Sequence, residues 1–208
     1  MLFTPIDMKK WKRKEYFEQF YNNVPTTFDI TLQLDISNLI QKKLKLYPTM
    51  LFLLSYLVNK YEEFRTTVNE NGVLGIFDVV YPGYTVFHKE NETFSGIWTE
   101  YTPDYETFCR YYAQDVEKYG SIMKYQAKPD CPQNIFYVSM LPWIHFSSFN
   151  LQLKQGHNYL MPIFTMGKYI NENNKILLPL SVLVHHAVCD GWHISKFINE
   201  LQQNINDF

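Results

Sequence analysis

The chain has 208 residues, of which 46% are hydrophobic and 17% aromatic, so a single domain spanning residues 1–208 has enough material for a core and an apolar pocket. Its 19 basic and 21 acidic residues give a formal net charge of −2, which excludes the strongly basic surface of a nucleic-acid-binding protein. The longest early apolar run, residues 51–58, is too short to cross a bilayer. Neither nucleic acid nor a membrane is therefore expected as a partner.

The first half of the chain carries helical and strand patterns in turn. Helical spacing of aromatic and charged residues covers residues 8–21, and hydrophobic alternation predicts a strand at Thr27–Asp35. Ser37 is suited to cap a helix running to about residue 45, and Pro48 separates it from a largely buried helix over residues 49–64. Three further strands are predicted, at residues 75–80, 84–88 and 97–101.

The second half predicts a helix over residues 104–119 and then four strands. These strands cover residues 135–140, 150–153, 162–166 and 175–188, and a turn at residues 171–174 joins the last two as a hairpin. Apolar spacing from Trp192 to Leu201 predicts a closing helix. Because strands and helices do not alternate strictly, we expect an α/β or α+β layer built on a large mixed sheet.

Cysteine usage predicts a cytoplasmic protein. Cys109, Cys131 and Cys189 are odd in number and lack the spacing of a metal site or a Cys-x-x-Cys pair, which is typical of reduced thiols. The first 15 residues have no apolar core of the signal-peptide type. No metal is expected, because zinc-ligand spacing and paired-carboxylate motifs are missing from the sequence.

The most informative stretch runs from His185 to His193, where two adjacent histidines stand in an apolar strand pattern. A period of two puts His185 and His186 on opposite faces, so at most one faces a given cavity. Apolar surroundings disfavour the charged imidazole, which suits a general base near neutral pH. The alternative is a pair of core histidines bonded to neighbouring carbonyls. Asp190-Gly191 then places the motif at a strand-to-helix corner.

This stretch carries a family resemblance. His185-His186 followed by Asp190-Gly191 resembles the His-His-x-x-x-Asp-Gly signature of chloramphenicol acetyltransferases and of dihydrolipoamide acyltransferase catalytic cores, and the full string is closer to the former. Similar segments occur in the family's order across nearly the whole chain. They are Trp11-Lys12-Arg13-Lys14-Glu15, Tyr47-Pro48-Thr49-Met50, Thr85-Val86-Phe87-His88, Glu92-Thr93-Phe94-Ser95, Ser139-Met140-Leu141-Pro142-Trp143, Ser148-Phe149-Asn150-Leu151 and Met166-Gly167-Lys168-Tyr169.

The resemblance implies a fold, an assembly and a reaction. The fold is a two-layer α/β sandwich with a large mixed sheet, the CoA-dependent acyltransferase fold, assembled as a homotrimer with sites at the subunit interfaces. The reaction is acetyl transfer from acetyl-CoA to the primary hydroxyl of chloramphenicol in a ternary complex, which inactivates the antibiotic. Acetyl-CoA is then a cosubstrate, and no cofactor is bound permanently.

The resemblance also implies roles for individual residues. His186 matches the general base, Ser139 the serine that stabilises the oxyanion, and Thr165 the threonine that supports the oxyanion through a water. Asp190 invites a triad interpretation, but in the family it pairs with an arginine at the position of Arg13, as structural support. His185 is expected to be structural.

Substrate contacts follow from the same resemblance. Four residues match positions in the coenzyme A channel or the acceptor pocket: Trp143, Phe149, Leu151 and Tyr169. Phe20, Val24, Phe28 and Phe94 are weaker pocket candidates, and tyrosine and leucine occur in the family at the first two positions. His193 is interpreted as a helix-start residue.

Two other functions remain open at this point. A dihydrolipoamide acyltransferase core would normally bring lipoyl-domain and linker sequence, which is not found here. A drug-binding homologue without activity is disfavoured, because His186, Ser139, Thr165, Arg13 and Asp190 all occur together.

Overall fold

The computed structural model describes residues 2–152 and 158–208. The strands are β1 Phe3–Pro5, β2 Thr27–Asp35, β3 Thr66–Val68, β4 Leu74–Phe77, β5 Tyr81–His88, β6 Thr93–Trp98, β7 Ile135–Leu141, β8 Ile163–Gly167, β9 Ile170–Glu172 and β10 Lys175–His185. The helices are α1 Lys14–Phe17, α2 Ser37–Gln41, α3 Leu46–Lys60, α4 Tyr105–Tyr119 and α5 Gly191–Asp207. A π-helical turn, Glu18–Asn23, continues α1, and a 3-10 turn, Glu62–Phe64, follows α3.

The main sheet has seven strands in the order β2-β10-β8-β7-β5-β6, with β9 paired to the start of β10. The pairs β5–β7 and β7–β8 are parallel, and the other pairs are antiparallel. The predicted large mixed sheet is therefore confirmed. A small antiparallel sheet, β1-β4-β3, lies apart from it in the pairing order.

One face of the main sheet packs against the helices. Alternate residues of β10, from Leu178 to Val184, are at most 2% exposed and belong to the same apolar cluster as buried residues of α3 and α5. This alternation follows the period of two of a strand. The opposite face carries the intervening residues, such as Ser181, so the fold is a helix layer on a mixed sheet. None of the helices in residues 2–152 and 158–208 is long and apolar enough to span a bilayer.

Several predicted boundaries in the first half need correction. The helix expected over residues 8–21 is α-helical only at Lys14–Phe17 before the π-helical turn, because residues 8–10 and 12–13 form turns instead. Pro48 lies inside the first turn of α3, where the missing N–H costs no helical hydrogen bond. Strands β1 and β3 were not predicted, since three-residue strands have too little periodicity to detect.

Other corrections concern the capping residue and the later strands. Ser37 does not cap α2; its hydroxyl donates to Asp35 and accepts from the Ile176 N–H, which ties α2 to the sheet. No strand covers residues 150–152, and residue 153 lies outside the described residues. The predicted hairpin is confirmed, with Asn173 and Asn174 at φ of 50° and 61°, as a tight two-residue turn requires.

Candidate active site

His186 lies just beyond the end of β10, in a turn and not in the strand. The strand was predicted to continue to Val188, but it ends at His185, because the N–H groups of Val188 and Cys189 both turn back to the His185 carbonyl at 3.1 and 3.0 Å. The His186 N–H donates to the carbonyl of Thr26 beside β2 at 2.9 Å. Because His186 lies in this turn, the direction of its side chain is not determined by the alternating faces of β10.

The backbone determines the tautomer of His186. Its Nδ1 lies 3.1 Å from the Cys189 carbonyl oxygen. A carbonyl only accepts, so Nδ1 carries the proton of the neutral ring and Nε2 keeps a lone pair. Phe20 stacks on the ring at 4.0 Å between centroids, and Phe28 meets it edge-on at 5.4 Å. The imidazole is therefore fixed in plane and in tautomer, with its Nε2 free of hydrogen bonds to residues 2–152 and 158–208.

Arg13 and Asp190 form an ion pair beside this corner. Arg13 Nη1 donates to Asp190 Oδ2 at 2.9 Å, and Nη2 reaches the His186 carbonyl at 3.3 Å. Burial disfavours the charged carboxylate, but the hydrogen bond from Arg13 and the nearby His193 outweigh it and lower the pKa of Asp190 below its ordinary value. The guanidinium thereby links the carboxylate to the backbone of the proposed base.

Asp190 also begins helix α5. Its side chain accepts the backbone N–H groups of Trp192, at 3.1 Å, and of His193, and its own N–H lies 3.2 Å from His193 Nδ1, so the two residues form a capping box. The triad interpretation fails here, because His186 Nδ1 bonds to the Cys189 carbonyl and not to this carboxylate. His193 occupies the third position of the helix, as a helix-start residue does.

The remaining polar groups of the motif are buried. His185 is 1% exposed, and its Nδ1 accepts the Ala187 N–H at 3.1 Å. Cys189 is 1% exposed, and burial raises the pKa of its thiol, which favours the protonated, unreactive form.

Ser139 and Thr165 lie side by side on neighbouring strands. Ser139 of β7 is level with Thr165 of β8, and their hydroxyl oxygens are 3.1 Å apart. The same row continues through Ser181 of β10 to Thr31 of β2. Ser181 donates to the Phe149 carbonyl at 2.8 Å, and Thr31 accepts the Phe149 N–H at 3.2 Å. Four hydroxyl side chains thus cross the sheet on the face away from the helices.

Ser139 opens into two pockets. The smaller, about 120 Å³, is lined mainly by apolar and aromatic residues of β5, β6 and β7 and by Tyr125, Gln126, Lys128 and Cys131. The larger, about 530 Å³, is lined by residues 139–143, including Trp143, and by Tyr47 of α3. Phe94 lines both pockets and is 52% exposed. Because the Ser139 hydroxyl borders both pockets, it can contact two different bound molecules.

His186 and Ser139 are far apart within one chain. Along β10, His185 lies four residues beyond Ser181, the residue level with Ser139 through Thr165. At roughly 3.3 Å per residue along β10 and 4.8 Å for each of the two strand steps, the Cα atoms of His185 and Ser139 are about 16 Å apart. The imidazole and the hydroxyl of the same chain are therefore not in contact.

The predicted pocket residues divide accordingly. Phe20 and Phe28 contact His186, and Val24 is 54% exposed at the end of the π-helical turn beside them. Trp143 and Phe94 lie on the Ser139 side. The remaining three occupy other places: Phe149 packs on Phe146 over the row of hydroxyls, Leu151 follows it half-buried, and Tyr169 is 41% exposed between β8 and β9.

The sequence did not identify which backbone groups position His186, and it left out two hydroxyl residues of the sheet. The carbonyls of Thr26 and Cys189 position His186, and backbone atoms leave no trace in residue type. Ser181 and Thr31 extend the hydroxyl row, and their signal was available, because each is a hydroxyl residue in a largely apolar strand. No group of three or more His, Cys, Asp or Glu side chains able to hold a metal occurs within the described parts of the chain.

The fold is that of the CoA-dependent acyltransferases. A solved chloramphenicol acetyltransferase superposes with a TM-score of 0.84 at 20% identity, covering 97% of this chain and 99% of its own. The dihydrolipoamide acetyltransferase of Azotobacter vinelandii superposes with a TM-score of 0.70 at 20% identity, over 93% of this chain and 86% of its own. At these identities the likeness establishes the fold alone.

Sequence similarity places the chain more closely. The family model of chloramphenicol acetyltransferase matches residues 1–202. The chloramphenicol acetyltransferase of Campylobacter coli is 52% identical, and that of Clostridium perfringens 50% identical, each over 99% of this chain and 100% of the relative. The chain belongs to the chloramphenicol acetyltransferase family. The predicted family and fold class are confirmed.

Proposed function

We propose that this protein transfers the acetyl group of acetyl-CoA to the primary hydroxyl of chloramphenicol, with His186 as the general base. The observation that carries the proposal is the hydrogen bond from His186 Nδ1 to the Cys189 carbonyl. It holds the neutral ring in the tautomer that presents an unprotonated Nε2. Membership in the family supports the choice of acceptor and donor.

The reaction proceeds by direct attack. Nε2 of His186 takes the proton of the primary hydroxyl while the hydroxyl oxygen bonds to the thioester carbonyl carbon. The carbonyl oxygen becomes a tetrahedral oxyanion. When it collapses, the carbon–sulfur bond breaks, and the leaving thiolate receives the proton that the imidazolium holds. The products are the acetyl ester and CoA, and the enzyme never carries the acetyl group.

Ser139 stabilises the oxyanion in this scheme. Ser139 lines two pockets, which supports the proposal that its hydroxyl donor lies where the acceptor and donor substrates meet. Thr165, 3.1 Å away, can orient the Ser139 hydroxyl and support the oxyanion through a water. Arg13 and Asp190 hold the His186 corner, as structural support and not as reacting groups.

The site is completed by a second copy of the chain. Within one chain the strand spacing puts the Cα atoms of His185 and Ser139 about 16 Å apart, which supports a site shared between two subunits. Apolar side chains stand exposed on both sides: Trp192 (74%) and Val24 near His186, and Trp143 (61%) and Phe94 near Ser139. The resemblance to the family favours a homotrimer, with three such interfaces formed by single-domain subunits in the cytoplasm.

The aromatic and apolar candidates then bind the two substrates. Phe20, Val24 and Phe28 would shape the acceptor site from the His186 side, and Phe94 from the Ser139 side. Trp143, Phe149, Leu151 and Tyr169 would contact the coenzyme A channel or the acceptor. Aromatic faces suit the adenine of the donor and the nitrophenyl ring of the acceptor.

A thiol-release assay tests this function. The purified protein is mixed with acetyl-CoA and chloramphenicol, and free thiol is followed against a blank without the antibiotic, which corrects for the protein's own cysteines. Release above the blank is expected. A chloramphenicol analogue without the primary hydroxyl should give none. No release with chloramphenicol itself would reject the proposed reaction.

A further inference from the structure

Residues 120–133, which join α4 to β7, run along β6, the last strand in the order of the main sheet. Ser95 of β6 donates to the Ile122 carbonyl at 2.6 Å. The Gly96 N–H donates to the Tyr125 carbonyl at 2.7 Å, and the Gly96 carbonyl accepts from Ala127 at 3.0 Å. A Cβ on Gly96 would lie 3.2 Å from the Tyr125 oxygen, so the close approach favours glycine. The segment is thus held against the sheet edge.

His88 fixes the first of these contacts. Its Nε2 lies 2.7 Å from the Ser95 hydroxyl, and both side chains are buried. Because Ser95 already donates to the Ile122 carbonyl, it accepts from His88 Nε2–H. The imidazole therefore orients the serine toward the segment.

Lys128 makes a third attachment of the segment, through its side chain. Its Nζ donates to Asp115 Oδ1 at 2.7 Å and to the Trp98 carbonyl at 3.0 Å, and lies 3.7 Å from the centroid of the Trp98 ring. The Lys128 and Asp115 side chains are each 14% exposed. At that burial, removing one charge leaves the other without its partner, which is far more costly than losing a surface pair.

The Asp115 carboxylate is itself fixed from the core. The Thr99 hydroxyl donates to Asp115 Oδ2 at 2.8 Å, and the Tyr84 hydroxyl, 2.7 Å from Thr99, donates to it in turn. Tyr84 is 2% exposed and belongs to the apolar cluster. Lys128 is thereby connected through Asp115 and Thr99 to a buried residue of the core.

The segment forms the outer wall of the smaller pocket beside Ser139. Tyr125, Gln126, Lys128 and Cys131 line this pocket from the segment, and Trp98 lines it from β6. Tyr137 and Ser139 line it from β7. The width of the pocket is therefore determined by how closely the segment and the Trp98 ring are held to β6.

We propose that Lys128 is a positioning residue for the acceptor substrate: by pinning residues 120–133 and the Trp98 ring, it sets the width of the pocket that receives the acceptor's aromatic end. This inference rests on the proposed acetyl transfer. Lys128 does not touch the reacting atoms in this scheme. Its loss should weaken acceptor binding while leaving the donor site and the chemical step intact.

The test compares steady-state constants of Lys128→Met, which keeps the length of the side chain and removes its charge. We expect KM for chloramphenicol to rise about tenfold, with kcat and KM for acetyl-CoA changed by no more than about twofold. Lys128→Arg retains the charge and the contact with the Trp98 face, so it should keep KM for chloramphenicol within about threefold of the parent. Lys124→Met, an exposed lysine of the same segment, is the matched control and should behave as the parent.

Each result decides the question. An unchanged KM for chloramphenicol in folded Lys128→Met overturns the proposal. A fall in kcat together with a rise in KM for both substrates also overturns it, because that pattern would mean general destabilisation. Should Lys128→Met fail to fold, Asp115→Asn, which removes the partner charge and keeps its shape, must show the same selective rise in KM. If the parent protein releases no thiol with chloramphenicol, the proposed function fails first and the inference falls with it.

Discussion

His186 Nδ1 and the carbonyl oxygen of Cys189 lie 3.1 Å apart, so the tautomer of the proposed base is determined by the backbone three residues further along the chain. A carboxylate in that position would raise the basicity of the ring and hold charge beside it. A carbonyl orients the ring without adding a charge. The neighbouring carboxylate of Asp190 is instead engaged by Arg13 and by the start of α5.

Replacing His186 should remove turnover and leave substrate binding largely intact. His186→Ala deletes the proton acceptor, so we expect kcat to fall by roughly 10²–10⁴-fold or more, while thermal stability changes little because the ring is only partly buried. His185→Ala is the adjacent comparison. His185 is 1% exposed, so its loss should lower Tm and spare kcat in the folded fraction. The reverse pattern would show that the wrong histidine has been assigned as the base.

The Arg13–Asp190 pair should support stability and activity together. Asp190→Asn removes the charge opposite Arg13, and both Tm and kcat should fall, since the partly buried guanidinium also holds the His186 carbonyl. Exchanging the two charges, Arg13→Asp with Asp190→Arg, should recover part of the loss. Recovery stays partial, because arginine cannot accept the Trp192 N–H that Asp190 caps. Strictly additive effects would argue that Asp190 acts on the histidine directly.

Asp190 should also make stability depend on pH in the acid range. Its pKa in the folded protein is lowered from the ordinary value of 3.8, so its ionised form stabilises the fold above that value. This contribution is lost as the pH falls through the lowered pKa. The difference in Tm between the parent and Asp190→Asn should therefore be largest well above pH 3.8 and shrink as the pH falls through the lowered pKa. Asp130→Asn, at an exposed position, should show no such trend. A difference that is constant with pH would contradict a role for the charge.

Mixed assemblies test whether the site is shared between subunits. Subunits carrying His186→Ala are coexpressed with subunits carrying Ser139→Ala, and each variant alone should be nearly inactive. In a trimer containing both kinds, one interface joins an intact His186 to an intact Ser139. Activity should return at about one competent site per mixed trimer, measured on trimers purified with two affinity tags. A site within one subunit cannot be restored in this way, so mixed trimers no more active than the parents would reject the shared site.

Strands and the terminal helix were predicted correctly where the periodic pattern of apolar residues was long. The eleven residues of β10 and the spaced apolar residues of α5 were recognised because burial on a face repeats with a fixed period. The strand end was placed three residues late, at Val188, because residues 186–188 are as apolar as a strand but bond back to His185. Hydropathy does not distinguish a buried turn from a buried strand.

Residue types and their order in the chain were enough to predict the family and the mixed sheet correctly, and they supply the prediction of which residues carry the chemistry. Tertiary structure alone decided which atoms meet: which carbonyl His186 bonds to, that the Arg13 guanidinium also reaches the His186 carbonyl, and that Ser139 lies level with Thr165 and Ser181 across the sheet. The physical reason is that these relations depend on strand register and on backbone groups. Strand register brings together residues that are distant in sequence. Backbone carbonyls are the same in every residue type, so the sequence does not show which carbonyl a side chain will meet.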